Sequence, residues 1–231
     1  MKPTVDSHVH IWEQPWENFV VGTRRDGRFA QRDLLLSLMD RHGVERACVL
    51  AACNQQNPRN NEFIAELCEA QPDRFIMFSA ISLDKPSRDE LLEKTVREWP
   101  AIGFRDIVTA GQTPARWSEP DYAAFWERAN ALRLCVALNL NPAQAAALPP
   151  LVERFSKITW LLDHMGRPRY DIEDTAFEPV LSLSEFANVY VKISGFYAFT
   201  EFSPDYPYQD LARFVKKLLY RFGSSRLLWG E

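Results

Sequence analysis

The sequence predicts an α/β fold, a (β/α)8 barrel of the TIM type in which the last strand or the closing helix is incomplete. Three observations predict it. Eight short apolar runs alternate with amphipathic stretches of helical spacing, polar residues end several of those runs, and no break in composition divides the 231 residues. No G-x-G-x-x-G or P-loop motif follows any run, which disfavours a doubly wound nucleotide-binding sheet, the alternative fold. We therefore expect one domain over residues 1–231.

The eight strand-like runs are rich in β-branched and aromatic residues, as buried parallel strands are. They are Val5–Ile11, Arg46–Ala52, Phe75–Leu83, Ile102–Ile107, Leu134–Leu140, Ile158–His164, Val189–Ser194 and Arg226–Trp229.

Helices are predicted between these strands from apolar residues at helical intervals and from capping signals. The first helix ends at Gly43, and Ser87 with Glu90 reads as a capping box before the third. Ser118–Asp121 offers a further helix start, with Pro120 in its first turn. Apolar residues from Leu211 to Leu219 mark the last helix.

Composition excludes several classes of protein. Hydrophobic residues make up 46% and charged residues 25%, which is typical of a globular protein. The net charge of −4 lacks the excess of basic residues expected of a protein that binds nucleic acid. We expect no membrane span and no signal peptide. The four cysteines show no C-x-x-C spacing, so we expect free thiols in a cytoplasmic protein. A monomer and a homo-oligomer both remain open.

The most informative motif is His8-Val9-His10, close to the start of the chain. Side chains alternate along a strand, so the two imidazoles face the same way, with Cα atoms roughly 7 Å apart at about 3.3 Å per residue. They can converge on one metal ion or one substrate oxygen, although two histidines that merely fill a strand end remain the alternative.

Polar residues also end other predicted strands, where barrel enzymes place their chemistry. Arg105 ends the fourth, Asn139 the fifth and Lys192 with Ser194 the seventh. The planar guanidinium groups of Arg105 and Arg167 can each donate two parallel hydrogen bonds to a carboxylate. We therefore predict that both, with Asn139, bind a small anionic substrate.

His164 ends the sixth strand and is the third candidate metal ligand, after His8 and His10. Three neutral imidazoles suit zinc or a similar divalent ion, whereas a hydrogen-bonded core histidine is the alternative for His164 alone. By strand alternation Asp163 is expected to point to the opposite face and to anchor backbone or a helix.

Five segments carry a resemblance to a known family. They are Val5–Trp12, Gly103–Arg105, Leu162–Pro168, Val191–Gly195 and Leu227–Gly230. Together they resemble the amidohydrolase superfamily, and its amidohydrolase 2 branch in particular, which holds lactonases of sugar acids and of pyrone or muconate lactones. Metal-dependent decarboxylases are relatives in the wider family.

The resemblance implies that His8, His10 and His164 face the active site as catalytic residues and metal ligands. It leaves open whether one divalent metal, with zinc the best fit, is needed, because some relatives work without metal. It also implies an Asp base after the last strand's Trp-Gly, one residue beyond Glu231. We expect the native protein to continue with that Asp and with a closing helix; the alternative is a protein without the usual base, in which Glu231 or Lys192 takes the proton.

These observations predict a hydrolase that opens the lactone ring of a carboxylated or sugar-acid substrate. The histidines, with or without a metal, would polarise the lactone carbonyl. Two alternatives stay open: a metal-dependent non-oxidative decarboxylase, and a barrel that binds a small acid without turnover.

Overall fold

The structure, a computed structural model, describes residues 4–13, 32–109, 112, 114–202 and 206–230. Its eight strands form one parallel sheet in sequential order, so each strand pairs with the next along the chain. The strands are β1 Val5–Val9, β2 Arg46–Leu50, β3 Phe75–Ala80, β4 Ala101–Ile107, β5 Cys135–Asn139, β6 Thr159–Leu162, β7 Val189–Ile193 and β8 Leu227–Trp229.

The end of β8 lies against β1, which brings the sheet close to a closed barrel. A Cβ atom at Gly230 would lie 2.7 Å from the backbone nitrogen of His8, so only a glycine allows this approach. The predicted (β/α)8 barrel is thereby confirmed. The prediction about Glu231 and the residues beyond it lies outside the described residues, and the single domain over 1–231 stays a prediction.

The described residues form eight α-helices, one after each of the strands β1 to β7 except β5, which is followed by two. They are α1 Arg32–His42, α2 Asn60–Ala70, α3 Arg88–Arg97, α4 Ala123–Ala131, α5 Pro142–Ala145, α6 Pro149–Arg154, α7 Glu178–Ser182 and α8 Ala212–Phe222. None of these combines the length and the apolar composition needed to cross a bilayer.

The predicted capping box at Ser87 does not form. Ser87 precedes α3, but its ψ of 0° is already helical and its side chain makes no capping hydrogen bond. A capping side chain normally needs an extended backbone at that position. A complete capping box occurs instead at Asn141 and Gln144, which start α5.

The core has two layers, one between strands and helices and one inside the barrel. The inner layer contains Leu50, Phe78, Ala137 and Leu161, from four different strands. All four cysteines are free, as expected. The inner layer fills the interior of the barrel with apolar side chains, and the polar residues lie at its carboxyl end.

Asn60 links the segments that follow β1 and β2 at the carboxyl end of the barrel. Its side chain accepts a hydrogen bond from the Ala52 nitrogen at 2.8 Å and donates one to the Ile11 carbonyl at 3.0 Å. Asn60→Ala would leave two backbone groups without these partners, and we expect the free energy of unfolding to fall by about 2–3 kcal/mol.

Urea denaturation of Asn60→Ala measures this loss. Asn188→Ala is the control, because its side chain donates a single bond, to Ile158, and is expected to cost about 1 kcal/mol. Equal losses in the two variants would contradict the bridging role of Asn60.

Candidate active site

The structure brings the three predicted histidines together at the carboxyl end of the barrel. His8 lies in β1, His10 directly follows it, and His164 follows β6. The Nε2 atoms of His8 and His10 are 3.1 Å apart, and the ring centres of His8 and His164 are 4.5 Å apart. His8 therefore contacts both of the others.

His10 has a fixed orientation and tautomer. Its Nδ1 lies 2.7 Å from the Leu50 carbonyl oxygen, which can only accept, so Nδ1 carries the proton and Nε2 the lone pair. Trp12 stacks on the imidazole at 5.5 Å and donates its indole N–H to the Ala52 carbonyl. These contacts point the free lone pair of His10 at His8.

His164 is held by Ser194 and by an unusual backbone turn. Its Nδ1 lies 2.9 Å from the Ser194 hydroxyl oxygen. His164, Met165, Gly166 and Arg167 all have positive φ, between 53° and 74°, so four residues in a row turn left-handed. Such a conformation costs roughly 1–2 kcal/mol for each non-glycine residue and is concentrated at functional sites.

Asp163 was expected to lie on the face opposite His164 and to anchor backbone or a helix, and this is wrong. Leu161 faces the barrel interior, so alternation along β6 places Asp163, two residues later, on the same inner face. The left-handed backbone begins at His164 and directs that side chain to the same end of the barrel. The Asp163 side chain is fully buried in the barrel, where it contacts Arg105, Lys192 and His8.

Asp163 is the centre of a buried ionic cluster. Its Oδ2 accepts a hydrogen bond from Arg105 Nε at 2.7 Å, and its Oδ1 lies 3.1 Å from Lys192 Nζ. The same Oδ1 lies 3.5 Å from His8 Nδ1. Burial raises the pKa of Asp163, but Lys192, His8 and Arg105 together outweigh burial and hold the pKa well below its usual range.

Burial and nearby cations keep the imidazoles neutral near pH 7. Burial, together with Arg105, lowers the pKa of His10 to about 3. Burial also lowers the pKa of His164 to about 4, with Asp163 opposing the shift. The pKa of His8 falls well below 6.5, again chiefly through burial. Neutral imidazoles can accept protons or bind metal ions.

The three predicted substrate-binding residues occupy different positions. Arg167 is half-buried, with its guanidinium 5.7 Å from the centre of the Phe199 ring, and burial and Arg105 lower its pKa. Arg105 is almost fully buried, and its Nε is bound to Asp163. Asn139 ends β5, and its buried Oδ1 has no hydrogen-bond partner among the described residues. Their roles in substrate binding stay predictions.

Sequence reasoning placed Lys192 at the end of the seventh strand but missed its pairing with Asp163, and it missed Asp163 as a residue of the site. Lys192 is 1% exposed and lies 5.2 Å from the centre of the Phe78 ring, inside the barrel. A lysine in the middle of the apolar run Val189–Ile193 was the available signal. A lysine is almost never fully buried unless it is paired, so such a position indicates a buried carboxylate partner.

The donor set fits a divalent metal such as zinc. Ligand atoms of His8, Asp163 and His164 lie within 4.8 Å of one another, and His10 Nε2 adjoins that group. Two nitrogens each about 2.1 Å from one zinc in tetrahedral geometry lie roughly 3.4 Å apart, close to the His8–His10 separation. The Asp163 oxygens face Lys192 and Arg105, so histidines are the better donors. The group within 4.8 Å contains His8 and His164, and His10 lies outside it, with its Nε2 3.1 Å from that of His8.

A parallel eight-stranded barrel with histidines and a buried carboxylate at its carboxyl end defines a class of barrel enzymes with metal-binding capacity. The chain belongs to the amidohydrolase family, since the family model described as "Amidohydrolase" matches residues 5–230. The resemblance to the amidohydrolase 2 branch is confirmed.

The curated relatives that match part of this chain are named as decarboxylases. The chain is 31% identical over 150 residues to a gamma-resorcylate decarboxylase from Rhizobium sp. (strain MTP-10005), covering 57% of this chain and 44% of the relative. The chain thus spans less than half the length of the curated relatives it matches.

Two solved structures share the fold across 99% of this chain. One is a probable 2-pyrone-4,6-dicarboxylic acid hydrolase from Acinetobacter baumannii with citric acid bound, with a TM-score of 0.74, 20% identity and 83% of that chain covered. The other is an amidohydrolase from Burkholderia multivorans with bound zinc, with a TM-score of 0.78, 21% identity and 84% covered.

Proposed function

We propose that this protein hydrolyses a small carboxylated lactone, opening the ring to a hydroxy acid. The observation that carries the proposal is the hydrogen bond from His10 Nδ1 to the Leu50 carbonyl. It fixes Nε2 as a lone-pair nitrogen, which can take a proton from water or bind a metal ion. Hydrolysis needs a proton acceptor of this kind, whereas decarboxylation of an aromatic acid needs a donor to carbon.

Charge supports an anionic substrate. Arg105, Lys192 and Arg167 place three cationic groups at this end of the barrel, and the first two are paired with the buried carboxylate of Asp163. Among the described residues Arg167 forms no ion pair, and a half-buried cation without a counter-charge favours a bound carboxylate. We propose that Arg167, whose charge is not used by Asp163, makes the main contact.

The proposed reaction begins when water attacks the lactone carbonyl carbon. In the site without metal, His10 Nε2 or a neighbouring imidazole accepts a proton from the attacking water. When the ring C–O bond breaks, the resulting imidazolium gives this proton to the ring oxygen, which becomes the hydroxyl of the hydroxy acid. A zinc ion held by His8, His10 and His164 would occupy these lone pairs, and it would replace the imidazole base by supplying Lewis acidity and lowering the pKa of bound water. Arg167 would hold the substrate carboxylate.

Decarboxylation is the second candidate, and the named activity of the gamma-resorcylate decarboxylase relatives favours it. Both candidates use a small acid and the same histidines. A small-acid-binding barrel without turnover is the third outcome of the experiment below.

The test incubates the chain with 2-pyrone-4,6-dicarboxylate, with a sugar-acid lactone and with γ-resorcylate, each with added zinc and with a chelator. Loss of lactone with release of one acid equivalent supports the proposal. Carbon dioxide from γ-resorcylate without ring opening would replace it with decarboxylation, and binding without turnover would reject both. His10→Gln is the control, and we expect it to be inactive.

Arg167→Lys tests the contact with the carboxylate. Lysine keeps the charge but loses the planar fork, so we expect KM for a carboxylated lactone to rise about tenfold while kcat stays within about threefold. Arg169→Lys is the matched control, because Arg169 is exposed and pairs with Asp171. An unchanged KM in Arg167→Lys would remove Arg167 from the site.

A further inference from the structure

We propose that Asp163 is a positioning residue that selects the tautomer of His8, with the proton on Nδ1 and the lone pair on Nε2. Lys192 and Arg105 hold the carboxylate in place for this role. The inference deepens the proposed function and rests on it only for its kinetic consequence, since the tautomer can be measured in an inactive protein.

The carboxylate of Asp163 is anchored from two different strands. Arg105 comes from β4 and binds Oδ2 at 2.7 Å, whereas Lys192 comes from β7 and lies 3.1 Å from Oδ1. Rotation of the Asp163 side chain would leave a buried cation without its counter-charge, which is strongly unfavourable. The carboxylate is therefore a rigid group on one side of His8.

His8 lies between two groups that compete for its single ring proton. Its Nδ1 is 3.5 Å from Asp163 Oδ1, and its Nε2 is 3.1 Å from His10 Nε2. The hydrogen bond to Leu50 fixes His10 Nε2 as an acceptor. Without a charge at position 163, the His8 proton would move to Nε2 and donate to His10.

The Asp163 carboxylate reverses that preference. A lone pair on His8 Nδ1 would face a negatively charged oxygen, whereas an N–H there is attracted to it. The His8 proton is then kept on Nδ1, and the Nε2 atoms of both histidines are free for water, substrate or metal. The same logic applies to outer residues that orient metal-binding histidines.

Two variants, the second of them matched in charge to the native protein, separate this role from simple loss of a buried ion pair. Lys192→Met removes one cation and keeps Asp163, so His8 should keep its proton on Nδ1. Asp163→Asn/Lys192→Met has the same cluster charge as the native protein, and its amide N–H group can donate to His8 Nδ1. The proton of His8 should then move to Nε2.

The measurement is long-range 1H–15N NMR of the full chain labelled with 15N-histidine and treated with a chelator, with His8 assigned from His8→Gln. We expect a protonated Nδ1 in the native protein and in Lys192→Met, and a protonated Nε2 in Asp163→Asn and in the double variant. Asp106→Asn is the control, a buried carboxylate outside the cluster that should leave the spectrum unchanged.

The tautomer result decides the proposal. A protonated Nε2 in the native protein, or the same tautomer in Lys192→Met and the double variant, would overturn it. If lactonase activity is found, kcat of the double variant should be roughly 10–100-fold below that of Lys192→Met, with little change in KM. If no activity is found, the proposed function fails while the tautomer shift still tests the role of Asp163.

Discussion

Replacing Asp163 with leucine lowers the free energy of unfolding by about 3–5 kcal/mol, the largest loss of stability expected from a single charge in this protein. The side chain is fully buried, and its removal leaves Arg105 and Lys192 as buried cations without a counter-charge. The hydrogen bond from Arg105 Nε is lost as well. Urea denaturation followed by tryptophan fluorescence measures the change.

Asp174→Leu is the matched control. Asp174 also pairs with two cations, Arg213 and Lys217, each at 2.8 Å, but it is about half exposed. Water and salt screen exposed ion pairs, so this variant should lose only about 0–1 kcal/mol. Similar losses in the two variants would show that burial does not set the cost at Asp163.

Gly195→Ala displaces His164 and is expected to have the second largest effect. The φ of Gly195 is +69°, and a Cβ there would lie 2.5 Å from His164 Nδ1, closer than atoms pack. We expect a stability loss of about 2–4 kcal/mol, from the strained backbone and the overlap together. Turnover should fall about 100-fold, because a shift of about 1 Å at a reacting group costs that much.

Gly43→Ala isolates the backbone contribution. Gly43 has a φ of +67° in the left-handed turn that ends α1, and an added Cβ would meet nothing within 4 Å. This variant should lose about 1 kcal/mol and keep its turnover. If Gly195→Ala behaves like Gly43→Ala in both measurements, then Gly195 does not position His164.

Local patterns predicted the frame of the molecule and the location of the site. Each of the eight predicted strand runs contains an observed strand or overlaps one, and β4 ends at Ile107 as expected. The H-x-H motif and the polar ends of β4, β5 and β7 placed the candidate residues at one end of the barrel. These features follow from side-chain period and strand direction, which a sequence expresses directly.

Sequence patterns were less accurate at the ends of elements. Strand β6 stops at Leu162 rather than His164, and strand β1 stops at Val9 rather than Ile11. In both places the chain leaves the sheet to present a histidine. The contacts that cause this, Ser194 for His164 and Leu50 for His10, come from residues 30 and 40 positions away.

The sequence by itself determined the barrel, the resemblance to the amidohydrolase family, and the three histidines at the carboxyl end. Only the tertiary structure decided that Asp163 points inward, that Lys192 and Arg105 hold it, and that Gly195 makes room for His164. The physical reason is that a buried charge is placed by its partners. Asp163 and Arg105 lie 58 positions apart in the chain, and they meet only when β4 and β6 take their places in the closed sheet.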